Sequence, residues 1–307
     1  MTKTGVIGLG AMGEGMARHL ASANFEVKGF DIDPDAMNRL AGAGVSVCDT
    51  AHEAATDVDL LFVVVFRDSE ADRILFGDDE KSGVLELLAD GATVIMNTTV
   101  SPDTARDYEK RLAAMGYGYV DAPVTGGKAG ADAGTLTVIA SGDERSMTAT
   151  KAAFDAVGAR TYNCGDAAGD ASTVKMINQM LVGCHVAAMC EALAFATKAG
   201  ADPEMVYDVI TPGTGNSEIF KSRAPHIFEE DYAPRGVTEI FTKDLGFVTD
   251  IARSIEFPLP MTSLALQQFL ATASSGYARH DGIALAKIYE NIGGVDIAKA
   301  HGKSKRK

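Results

Sequence analysis

The chain has 307 residues, long enough to favour two domains over one layered core. Hydrophobic residues make up 46% of it and charged residues 23%, an ordinary globular balance that excludes extended disorder. The formal net charge of −14 repels phosphate backbones and argues against a nucleic-acid binder, although a few local cations can still hold a small anion.

The first residues, MTKTGVIGLG, run straight into a strand pattern and lack the apolar core and cleavage site of a signal peptide. Residues 4–7, 26–30, 59–65, 93–97, 119–121 and 136–140 are short apolar runs rich in Val and Ile. Helical signals lie between them, such as Asp33-Pro34 as cap and first residue of a helix running to about Ala41. This alternation, continuing to about Asn163, predicts a mostly parallel, doubly wound α/β sheet. From about Gly169 the strand signature is gone. Residues 174–196 are apolar on nearly every side, interrupted by Lys175, Asn178, Gln179, His185 and Glu191. So many polar groups would be expensive in lipid, which favours a buried helix between two domains over a membrane span. Gly200 then acts as a stop, Asp202-Pro203 starts another helix, and further helices are expected around 243–254, 261–274 and 282–291. The expected division is residues 1–164, an all-α domain over 165–300, and a basic tail over 301–307 ending in KSKRK.

In a doubly wound sheet the binding crevice lies beyond the carboxyl ends of the strands. At the first such end, Gly8-Leu9-Gly10-Ala11-Met12-Gly13 matches G-x-G-x-x-G between a strand and a helix. The first glycine permits the tight turn, the second lets the backbone approach a pyrophosphate, and the third allows close helix–strand packing. Asp31 closes the next strand at roughly the 20-residue distance of a dinucleotide fingerprint. A carboxylate there accepts ribose hydroxyls and repels a 2′-phosphate, so the N-terminal half is expected to be a Rossmann domain binding NAD rather than NADP. A second candidate is the stretch from Asp121 to Gly127. Thr125 with Gly126 and Gly127 can cradle a carboxylate, or can equally be a plain turn.

Lys175 is the residue that local sequence makes most conspicuous. Val174, Met176, Ile177, Met180, Leu181 and Val182 deny its helix an obvious solvent face. A desolvated ammonium has a lowered pKa, in the direction useful for proton transfer. Asn178 follows three residues on, on the same helical face. His185, two more turns along, is expected to be a packed core histidine. Lys243, in Phe241-Thr242-Lys243-Asp244-Leu245, is read at a helix start. There it can meet a cofactor or simply pair with Asp244 at the surface. The six histidines fall in no zinc spacing, so no metal is expected. Cys48, Cys164, Cys184 and Cys190 form no C-x-x-C pair and read as reduced packing residues in a cytoplasmic compartment.

These segments together resemble the β-hydroxyacid dehydrogenase family over roughly residues 4–293. The resemblance rests on GLGAMGEGMARHL at 8–20, NTTVSP at 97–102, DAPVTGGKAGADAGTLTVIASG at 121–142, GDASTVKMINQ at 169–179 and FTKDL at 241–245. It implies that Lys175 is the catalytic acid/base and Asn178 a substrate ligand. It likewise implies that Thr99 and Lys243 touch the cofactor and that Thr125, Gly126 and Gly127 hold the substrate's carboxylate. Homodimers or homotetramers through the helical domain are implied as well. Three positions depart from the family's common pattern: Thr125 for serine, Ala171 for glycine and Gln179 for a second asparagine.

Within the family, residues 169–202 together with GNSEIF and DYAPRGVTEIFTKDLGFVTDIA are most similar to the branch that acts on L-threonate. The resemblance therefore implies oxidation of a short hydroxy acid, a four-carbon sugar acid at C2 first. A 3-hydroxyisobutyrate dehydrogenase or tartronate semialdehyde reductase is the alternative. An imine reductase or a non-catalytic dinucleotide-binding scaffold would be a different class, and relatives of both kinds lack the lysine.

Overall fold

The central apolar runs, 60–63 and 93–96, become parallel strands buried on both faces. The computed structural model describes residues 1–301; the KSKRK tail lies outside them. In chain order the first unit holds β1 (Lys3–Ile7), α1 (Gly13–Ser22), β2 (Glu26–Phe30), α2 (Pro34–Arg39), β3 (Val45–Val47), α3 (Ala51–Ala55), β4 (Leu60–Val63) and α4 (Asp68–Phe76). Then come β5 (Thr93–Met96), α5 (Pro102–Ala114), β6 (Gly118–Asp121), β7 (Val124–Thr125), α6 (Gly127–Ala133), β8 (Leu136–Ala140), α7 (Glu144–Val157) and β9 (Gly158–Asn163). Six strands form an all-parallel sheet in the order β3-β2-β1-β4-β5-β6. Side chains alternate between its faces: Val6, Phe62, Ile95 and Val120 enter one core, and Ile7, Val63, Met96 and Tyr119 the other. Topology reverses between β1 and β4, the point at which such sheets bind ligands.

One expectation about the sheet needs correction. The run at 136–140 does not extend the main sheet. As β8 it pairs antiparallel with β7 and parallel with β9 in a separate three-stranded sheet. The strands β3, β7 and β9 were not legible: the first two are three and two residues long, and β9 (GARTYN) is mostly exposed and has no apolar run. Asp33 does cap α2, its side chain accepting from the Asp35 N–H at 3.0 Å.

A 29-residue helix, α8 (Asp170–Lys198), follows. It is long and apolar enough to cross a membrane by length and composition. The chain divides into two compact units inside it, Met1–Lys175 and Met176 onward. The second unit continues with α9 (Pro203–Ile210), α10 (Glu218–Phe228), α11 (Thr238–Ser254), α12 (Pro260–Thr272), α13 (Leu285–Gly293) and α14 (Ile297–Ala300). Its core gathers Met189, Cys190 and Leu193 of α8 with Phe220, Phe241, Leu245 and Phe269, the last stacked on Phe241 at 4.5 Å. Helix α10 was not read from the sequence, where Pro225 interrupts the pattern. The expected α8 is present and Lys175 is buried as expected, but the helix does have a solvent face, and apolar side chains occupy it. Val174, Ile177, Leu181 and Phe195 are exposed, whereas the polar Lys175 and Gln179 are buried. Buried polar groups need partners, and both have them. His185 is exposed as well and is not a core residue.

Candidate active site

The carboxyl end of β1 turns into α1 through three glycines with distinct tasks. Gly8 has φ +96°, a region open to glycine, and donates its N–H to Phe30 O at 2.9 Å. A Cβ on Gly13 would stand 1.8 Å from the Gly8 carbonyl oxygen, so the helix can start here only without a side chain. A Cβ on Gly10 would meet nothing within 4 Å, which leaves room beside this backbone. No side chain caps α1; the Glu14 N–H donates to the Gly10 carbonyl at 3.3 Å, and the N–H groups of Gly13 and Gly15 beside it can serve an anion. Ala11 is exposed and Met12 half-buried at this turn. Asp31, just past β2, accepts from the Leu9 N–H at 2.6 Å and from the Asp33 N–H at 2.8 Å. Each carboxylate oxygen keeps a second lone pair for a ribose hydroxyl. These residues fit a dinucleotide: a phosphate at the open helix end and a diol at the carboxylate. Further along the strand ends, Thr99 is half-buried in the loop after β5.

The second group forms where β6 and β7 end and α8 begins. Lys175 is 7% exposed, and its Nζ donates to the Val124 carbonyl at 2.9 Å. That bond places the ammonium nitrogen against the residue preceding Thr125, Gly126 and Gly127. Gly126 and Gly127 have φ +125° and +63° and open α6, and a Cβ on Gly127 would meet nothing within 4 Å. Lys175 Nζ therefore stands beside the backbone that leads into Thr125, Gly126 and Gly127.

What holds α8 there was not anticipated. Asp121, fully buried, accepts from the Gly169 N–H at 3.0 Å, the Ser172 N–H at 2.9 Å and the Ser172 hydroxyl at 2.8 Å. Ser141 Oγ accepts from the Ala171 N–H at 3.1 Å. Burial pushes the Asp121 carboxyl up from its ordinary range, and the Ser172 and Gly169 donors pull it back. A carboxylate ending a buried strand is the signal that could have exposed this clamp, since it must find donors somewhere. Ala171 lies in the clamp and is fully buried.

In the second unit the other two predicted residues are linked indirectly. Asn178 Nδ2 donates to Gln179 Oε1 at 3.1 Å, Gln179 Nε2 donates to Asp244 Oδ2 at 2.6 Å, and Lys243 Nζ lies 3.0 Å from Asp244 Oδ1. Lys243 does not stand at a helix start: α11 begins at Thr238, so the lysine falls in its second turn. Its pair with Asp244 is not a surface one, the side chains being 12% and 2% exposed. Among the described residues, one group missed in the sequence gathers potential metal ligands: His226, Glu229 and Asp231, within 4.8 Å of one another. Asp231 is engaged by Arg235. All four cysteines are free thiols.

Fold and site together define a dinucleotide-dependent oxidoreductase: a Rossmann unit followed by an all-helical one. Residues 3–165 match the model of the NAD-binding domain of 6-phosphogluconate dehydrogenase, and 169–289 that of the NAD-binding domain of NADP-dependent 3-hydroxyisobutyrate dehydrogenase. L-threonate dehydrogenase of Pectobacterium atrosepticum is 40% identical over 94% of this chain and 94% of its own. That of Cupriavidus necator is 39% identical over 94% and 96%. The crystal structure of 3-hydroxyisobutyrate dehydrogenase from Salmonella typhimurium superposes with a TM-score of 0.88 at 38% identity, covering 94% of this chain and 100% of its own. The chain belongs to the β-hydroxyacid dehydrogenase family, and it is an NAD-dependent hydroxyacid dehydrogenase.

Proposed function

We propose that the protein oxidises a four-carbon sugar acid, L-threonate first, at C2, with Lys175 as the acid/base. The observation that carries the chemistry is the buried Lys175 amine, 2.9 Å from the Val124 carbonyl and next to the Thr125-Gly126-Gly127 turn. Support for the substrate comes from the relatives named L-threonate dehydrogenase. Bound NAD supplies the hydride acceptor, C4 of its nicotinamide. The Thr125 hydroxyl and the Gly126 and Gly127 N–H groups hold the substrate's carboxylate. The Val124 carbonyl takes one N–H of Lys175 and so fixes the rotation of its amine. In the neutral state the amine's single lone pair receives the C2 hydroxyl proton as the carbonyl forms; in reverse the ammonium returns it. Asn178 contacts the substrate's hydroxyls. Gly8 to Gly13 and Asp31 hold the dinucleotide, with Thr99 and Lys243 as further contacts.

A second reading, a 3-hydroxy acid, is favoured by the name of the Salmonella protein. The deciding experiment is NADH production with L-threonate, D-threonate, 3-hydroxyisobutyrate and tartronate semialdehyde (the last run in reverse). The highest kcat/KM is expected on L-threonate, and a clear preference for 3-hydroxyisobutyrate would reverse the assignment. We also place the protein in the cytoplasm as a homodimer or homotetramer joined through its helical unit. The exposed apolar side chains Ile177, Leu181 and Phe195 of α8 and Met261 and Leu264 of α12 support that association.

A further inference from the structure

Gln179, the position at which this chain departs from the family's common asparagine, sits in the middle of the polar line from Asn178 to Lys243. Both it and Asp244 are buried, at 8% and 2% exposure. Close helix packing makes the line possible. Gly183, one turn beyond Gln179, would place a Cβ 2.9 Å from Leu245 Cδ1, and Leu245 is the neighbour of Asp244 on α11.

The direction of every donor in the line follows from its charged end. A carboxylate paired with a lysine offers only acceptors, so Gln179 must turn its NH2 group to Asp244 Oδ2, 2.6 Å away. Its Oε1 then faces the other way and requires a donor, which Asn178 Nδ2 supplies at 3.1 Å. The Asn178 amide is thereby held in one of its two orientations. Its Oδ1 and its second Nδ2 hydrogen are left for a ligand. We propose that Gln179 is a positioning residue that sets this orientation, so that Asn178 recognises a vicinal diol in the substrate.

An amide presents an acceptor and a donor side by side, and two adjacent hydroxyls present the complementary pair. The C3 hydroxyl donates to Asn178 Oδ1, and the C2 oxygen accepts from Nδ2. Because Asn178 gives a hydrogen to the reacting oxygen and takes none, that oxygen's own proton remains for Lys175. An asparagine at 179 is one methylene shorter than the glutamine that makes both contacts. The inference rests on the sugar-acid reading above, and the test separates the two.

The test compares kcat/KM for L-threonate and for its 3-deoxy analogue, 2,4-dihydroxybutyrate, in the wild type, Gln179→Leu and Asp244→Asn, with NADH Kd from fluorescence titration. The wild type is expected to prefer L-threonate by roughly tenfold or more, the loss expected when a buried polar group is left unpaired. In Gln179→Leu the preference falls to about threefold or less, through a higher KM for L-threonate, with NADH Kd within about twofold. Asp244→Asn no longer dictates the direction of the line and withdraws the carboxylate from Lys243, so preference and NADH affinity fall together. A Gln179→Leu enzyme that binds NADH normally and keeps the full preference overturns the inference and leaves the sugar-acid reading standing. A wild type without the preference overturns both. Should Gln179→Leu fail to bind NADH, Gln179→Asn decides by the same criterion.

Discussion

Lys175 carries a role that its burial makes testable. Lys175→Ala should leave NADH Kd nearly unchanged while kcat falls by a factor on the order of 10² or more. Retention of near-full turnover would remove the residue from the reaction. Gly13 makes the complementary case for a residue that acts by having no side chain. In Gly13→Ala the new methyl would meet the Gly8 carbonyl, so the turn must open. A stability loss of about 1–3 kcal/mol in urea unfolding and a weakened NADH Kd are expected together. These two residues were visible in the sequence for different reasons. Glycine spacing reports a backbone requirement directly, whereas a lysine among apolar neighbours reports only an anomaly. Val174, Ile177 and Leu181 are exposed, so the helix has an open face; Lys175 lies on its buried side, where its Nζ donates to the Val124 carbonyl.

At the scale of elements, the first turn of α8 decides where Lys175 stands, and Asp121 with Ser141 and Ser172 decides where that turn stands. Asp121→Ala strands the Gly169 and Ser172 donors in the interior and is expected to cost about 3 kcal/mol and to lower kcat. Asp121→Asn keeps an acceptor for the two N–H groups, while the Ser172 hydroxyl can turn to accept from the new amide, so its cost should be small. The pH dependence follows from the upward shift of the Asp121 carboxyl. A carboxyl whose folded pKa lies above its unfolded value binds its proton more tightly in the fold. Wild-type stability relative to Asp121→Asn is therefore greatest below the unfolded pKa near about 4 and declines as pH rises through the folded one. Urea unfolding of both proteins at about pH 4 and 7 reads this directly, and an opposite slope would mean that the donors outweigh the burial.

At the scale of the whole molecule, cofactor and association govern stability. NADH at about 100 times its Kd should stabilise the fold by about 2.7 kcal/mol, measured as a thermal shift. NADPH at the same concentration should give a much smaller shift, because Asp31 sets a carboxylate where the 2′-phosphate would lie. Equal shifts would remove that role from Asp31. Sedimentation should give a dimer or tetramer, and Leu181→Asp combined with Phe195→Asp should shift it toward monomer. These two side chains are 48% and 74% exposed, so the charges need not disturb the core of an isolated chain.

The sequence alone determined the doubly wound half, the dinucleotide turn and the change to an all-helical half. Each is written locally: in runs of four or five apolar residues, in glycines spaced for one turn, and in the loss of the strand period. The family resemblance added roles for residues whose spacing left the choice open. Tertiary structure alone decided that 136–140 joins a second sheet, because strand partners are set by long-range pairing that no single segment records. It also decided which polar residues of α8 are buried. Lys175 and Gln179 can lie inside only because Val124 and Asp244, 51 and 65 positions away in the chain, offer them oxygens. A buried polar group takes its meaning from its partner, and the partner lies elsewhere in the sequence.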